Sequence, residues 1–86
     1  MRLVEIENQL KKIIEEKGVK DPIVFNKIYE LCFEYIRRGH KMNTIDETED
    51  TAMILAETLY MKIYKGEMIH SWLGYINISV IAAIRK

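Results

Sequence analysis

Apolar residues recur along the chain at spacings of three and four, in four separate stretches. Leu3, Ile6, Leu10, Ile13 and Ile14 trace one stripe of an amphipathic helix. Gly18 is a natural stop for it, and Lys17 suits the negative end of the helix dipole. Asp21-Pro22 reads as an N-cap followed by proline at the first helical position. A second helix then runs to about Arg38, with Phe25, Ile28, Cys32 and Ile36 on its apolar stripe and Leu31 and Tyr35 widening it. Arg37 and Arg38 fall in its last turn, and Gly39 is its expected C-terminal cap. Residues 39–45 read as a loop. Thr44 and Glu47 have the spacing of a capping box, and Asp46, Glu47, Glu49 and Asp50 cluster where a helix start favours anions. Ala52, Leu55, Ala56, Leu59 and Ile63 carry a third helix through to Lys65, and Gly66 ends it. A short loop to His70 leads into a fourth helix that starts near Ser71 and lasts to the end of the chain.

The expected fold is therefore all-α, a four-helix bundle in one domain, residues 1–86, with residues 1–20 as an N-terminal helix. At 86 residues, surface scaling allows about 64% of the unfolded chain's area to be buried, enough for one modest core. The fourth helix departs from the amphipathic pattern. Between Glu67 and Arg85 the chain has no charged side chain other than whatever His70 carries. A helix apolar on nearly all sides is either wrapped by its neighbours or lacks a partner on one flank.

Charge narrows the function classes. Thirteen basic and thirteen acidic side chains cancel, so general nucleic-acid condensation is not expected, because nonspecific affinity comes from neutralising phosphates. A nucleic-acid role has to rest on local patches, the nearest being Arg37, Arg38, His40 and Lys41. The single cysteine, Cys32, forms no internal disulfide and fits a reducing cytoplasm. The N-terminal residues carry charges throughout, unlike a signal peptide. The longest apolar run, Trp72 to Ile84, falls short of the ~18 residues a membrane span needs.

Catalytic and metal chemistry are not expected. Cys32, His40 and His70 lie far apart and form no CxxC or HxxxH pair. No glycine-rich phosphate-binding motif is present. Cys32 sits on an apolar stripe, where a cysteine acts as a small buried hydrophobe. The carboxylates of residues 46–50 suit capping more than paired acid–base work. The expectation is a protein that is not an enzyme and holds no cofactor and no metal.

The run from Asp50 through Glu57, Thr58 and Lys65, a short loop, then Ser71-Trp72-Leu73 and Ile76, resembles region 2 of bacterial sigma factors. The resemblance covers roughly residues 24–86, with Phe25 to Gly39 similar to that region's first helix, and places the last three helices in a sigma-region-2-like arrangement over 22–86. It implies transcription initiation. Asp50 and Glu57 match positions that dock on the coiled-coil clamp helices of the largest subunit of core RNA polymerase. Trp72 matches the tryptophan that starts the promoter-melting helix. Tyr75 is a second aromatic able to stack on a base, and Arg85 and Lys86 fall at the basic end of that helix. Promoter DNA and polymerase core are the implied partners.

Departures from the family pattern bear on each role. Ala56 stands where a glutamine is usual, and Ala52 and Met53 stand where an acidic pair is usual. Tyr75 and Ile78 replace arginines, and Ser79 and Ala83 replace an asparagine and an aspartate. Fewer cations weaken phosphate attachment, whereas base stacking on aromatics is worth about 1–3 kcal/mol per base. The helix-turn-helix domain that sigma factors carry after region 2 has no counterpart in these residues; the expectation is that another, separate chain supplies its function, that this is a reduced or phage-type factor, or that the fold serves another task. The competing expectation is a small helical interaction module or a homodimeric phage or plasmid regulator without DNA melting. It rests on the uncharged fourth helix and on Met53, Met61 and Met68, which suit adaptable surfaces. In that reading Trp72 is the anchor of a small core and the acidic run is simply a helix start.

Overall fold

The computed structural model describes residues 2–39 and 44–84, with side chains described only up to residue 82. Among the described residues there are four helices and no strand: α1 (Leu3–Lys17), α2 (Pro22–Gly39), α3 (Ile45–Tyr64) and α4 (Trp72–Ile84). The ends form where local chemistry stops or starts a helix. Asp21 Oδ1 accepts from the Ile23 N–H at 3.0 Å, and Thr44 Oγ1 accepts from the Glu47 N–H at 3.1 Å, so both caps satisfy amides that a first turn leaves without partners. Gly18 and Gly66 take positive φ, 85° and 99°, which a residue without Cβ adopts freely. Gly39, the expected cap of α2, is instead helical, the last residue of that element.

Successive helices pack side by side in the first three elements. Lys27 Nζ of α2 donates to Gln9 Oε1 of α1 at 3.1 Å. The Phe25 and Tyr60 rings of α2 and α3 meet edge to face at 5.6 Å. Helix α2 is the central element, packed on α1 and α3, and α4 lies against all three. The shortest dimension of the molecule is 20 Å, two helix diameters, so the bundle is two helices thick.

The core joins Ile6 and Leu10 of α1, Val24, Ile28, Leu31, Cys32 and Ile36 of α2, Ala52, Leu55, Ala56, Leu59 and Ile63 of α3, and Trp72, Ile76 and Val80 of α4. The apolar stripe expected of α3 supplies it residue for residue, whereas that of α1 supplies Ile6 and Leu10, with Leu3, Ile13 and Ile14 half-buried against the core. In α2 the buried face is turned slightly. Val24 is fully buried, while Phe25 is half-buried against Tyr60. Thr48 is the one buried polar residue among those described, and its hydroxyl donates to the Thr44 carbonyl at 3.3 Å.

Helix α4 is held by its start and by one face. Ser71 Oγ accepts from the Gly74 N–H at 3.2 Å, and Glu7 Oε2 reaches from α1 to accept from the Leu73 N–H at 3.1 Å. A carboxylate at a helix N-terminus is stabilising, so the two ends of the sequence are tied by a charge-assisted bond. Further along, the Tyr35 hydroxyl donates to Asn77 Oδ1. The opposite flank is bare: Ile78 is 70% and Ile81 38% exposed. Helix α4 is thus not wrapped by the other three, and it leaves an uncharged flank at the surface.

Candidate functional site

The face of α3 that points away from the core carries most of the candidate chemistry. The buried side of this helix is Thr48, Ala52, Leu55, Ala56, Leu59 and Ile63, and helical periodicity puts Asp50, Ile54, Glu57 and Met61 on the other side. Asp50 and Glu57 are both exposed, and Glu57 makes no ion pair among the described residues. Between them stands Ile54, 64% exposed, and beyond them Met61, 50% exposed. Ala52, one of the two positions at which the chain departs from the acidic pair usual in sigma region 2, is fully buried, so of that pair only Met53, 40% exposed, alters the outward surface. From Ile45 to Met61 the helix has five acidic residues and no basic one. That negative field reaches α2. Burial chiefly, with the Glu49 and Asp50 charges adding to it, pushes the Tyr29 hydroxyl above its ordinary range.

The aromatic residues of α4 are placed differently. Trp72, the expected base-stacking residue, is only 2% exposed and belongs to the core. Its neighbours beside the loop before α4 include Ile14 of α1, Val19 of the α1–α2 turn and Ile63 of α3, which with Met68 and Lys11 wall a cleft of about 350 Å³. The physical reason is area. An indole at the first turn of α4 removes more apolar surface from water by turning under the loop than by facing out. In this arrangement a base has no access to the ring face, and Trp72 anchors α4. Tyr75 is half-buried, with Lys62 Nζ 5.4 Å from its ring centre. Hydrogen bonding to Tyr75, with the Glu67 charge next in weight, raises the Lys62 ammonium above its usual range. Glu67 itself lies 3.6 Å from Lys62. Arg85 and Lys86 fall outside the described residues, as do His40 and Lys41 of the basic cluster. Arg37 and Arg38 both pair with Glu34, at 2.7 and 3.2 Å, which reduces the positive field they offer a phosphate. Hydrogen bonding to Arg37 is the main cause that holds the Glu34 carboxyl below its usual range.

No group of three His, Cys, Asp or Glu among the described residues could hold a metal. Burial pushes the Cys32 thiol up to about 12, which leaves it protonated and a poor nucleophile at neutral pH. No described helix is long and apolar enough to cross a membrane. Two features escape a reading by apolar stripe alone. Ile54 and Met61 are outward-facing, and their spacing to Asp50 and Glu57 is the available signal. The Glu7 cap on α4 spans 66 positions and has no sequence signal at all. No family model, curated protein or solved structure matches the chain.

Proposed function

We propose that the chain is a sigma-region-2-like initiation module that binds core RNA polymerase through the outer face of α3. The observation that carries this reading is the pair Asp50 and Glu57, exposed on one rigid helix whose opposite side is locked in the core. Docking groups held on a packed helix lose little freedom on binding. The clamp helices of the largest polymerase subunit are the partner that the sequence resemblance supplies.

Trp72 has a positioning role in this reading. It fixes where α4 leaves the loop, and promoter contact falls to Tyr75, to loop residues 66–71 and to Arg85 and Lys86. The test is co-purification with polymerase core. Wild type should be retained, and Glu57→Lys should weaken retention about tenfold, as charge reversal at an interface rim does. No retention of wild type, or equal retention of the variant, removes the assignment.

A second reading, an interaction module without DNA melting, draws on the exposed Ile78 and Ile81 of α4. It predicts association that sedimentation detects, with no promoter opening when polymerase is added.

A further inference from the structure

The outer side of α3 has a regularity that its core-facing stripe hides. Glu47, Asp50, Ile54, Glu57, Met61 and Tyr64 follow one another at alternating steps of three and four, the heptad spacing of a helix that packs lengthwise on another. All six are exposed. At 100° per residue Asp50, Ile54, Glu57 and Met61 fall within about 60° of the helix surface and span about 17 Å of its length. Apolar and anionic side chains alternate along that seam: an acid at 50, isoleucine at 54, an acid at 57, methionine at 61.

Taking the docking role of α3 as its premise, we propose that Ile54 and Met61 carry the affinity of this face, with Asp50 and Glu57 setting the partner's orientation. The occupant is an amphipathic helix of another protein, apolar opposite residues 54 and 61 and carrying Lys or Arg opposite residues 50 and 57. Charge complementarity selects it, because α3 has no basic residue before Lys62. A second copy fits poorly, since its own seam would bring carboxylates toward Asp50 and Glu57. Exposed ion pairs add little and are screened by salt, whereas covering two large apolar side chains adds much more. The docking is therefore mainly apolar and resists salt.

The test uses the full chain and a synthetic helix of about four heptads with leucine along its seam and arginine beside it. A control helix carries glutamate in place of arginine. Titration followed by fluorescence anisotropy should show binding of the arginine helix and at least tenfold weaker binding of the control. The double variant Ile54→Asp, Met61→Asp should lose on the order of 100-fold, with its thermal melt unchanged. Asp50→Asn with Glu57→Gln should lose only about three- to tenfold. Raising salt from about 0.1 M to about 1 M should weaken the wild type less than about tenfold. The inference is overturned if both helices bind equally, if the aspartate variant binds as well as wild type, or if the seam instead mediates dimers of the chain. The same double variant tried on polymerase core separates the two claims. Retention of polymerase that ignores residues 54 and 61 overturns the seam and keeps the polymerase reading. Binding of the arginine helix without binding of polymerase keeps the seam and removes that reading.

Discussion

Trp72 and Glu57 stand on neighbouring helices, and the sigma resemblance points both toward a partner. Glu57 is in solvent, whereas Trp72 is 2% exposed. The difference follows from what each side chain loses by leaving water. A carboxylate with no buried partner stays out because its desolvation is costly. An indole beside an apolar cleft goes in because its area is large. Helix α3 thus offers chemistry on its outer face, and α4 contributes its aromatic start to stability. The comparison also divides the proposed activity: the docking half rests on exposed groups, and the melting half has to do without the tryptophan.

The sharpest way to break this contrast is Trp72→Ala. If the indole is the anchor of α4, its loss costs about 3–5 kcal/mol, a large share of the roughly 4–13 kcal/mol that a domain of this size commands. Thermal denaturation should show a fall of at least about 12 °C. A melt within a few degrees of wild type would mean that the ring is not part of the core.

Cys32 probes the same interior from α2. Its thiol is raised to about 12, against about 8.5 in an unfolded chain. A raised folded value means that stability is complete below the unfolded pKa and falls as pH climbs above it. The loss is about 2 kcal/mol by pH 10. Cys32→Ala lacks this term, so denaturant titrations at pH 7 and pH 10 should show wild type losing about 2 kcal/mol more than the variant. Equal losses would show that the thiol is not sealed.

The smallest expected effect is on the outer face of α3. Ile54→Asp removes a side chain that is 64% exposed, and stability should change by no more than about 0.5 kcal/mol. A cost of several kcal/mol in chemical denaturation would show that Ile54 packs against the chain itself, which would take the docking face away.

Much of the fold is legible without coordinates. The four helices, the caps at Asp21 and Thr44, the stops at Gly18 and Gly66 and nearly all of the cores of α1 and α3 follow from spacing and turn chemistry. These are short-range properties, set by residues within four positions of one another. Val24 and Phe25 mark where that reading begins to blur. Both are apolar and adjacent, and only the approach of Tyr60 from α3 decides which is fully buried. The candidate site is legible in part. Asp50 and Glu57 are marked by residue type and spacing, and Arg37 and Arg38 are within local reach of the glutamate that pairs with them.

What local patterns left open, the tertiary structure decided. An uncharged helix such as α4 has no polar stripe to declare its outer side, so its burial depends on where the other three helices meet it. They cover Trp72, Ile76 and Val80 and leave Ile78 and Ile81 bare. Glu7 reaches the start of α4 only because the bundle brings α1 beside it. Periodicity along a chain encodes which side of a helix is apolar. Which apolar side chains lose their water is settled by distant segments, through area and shape that no local spacing records.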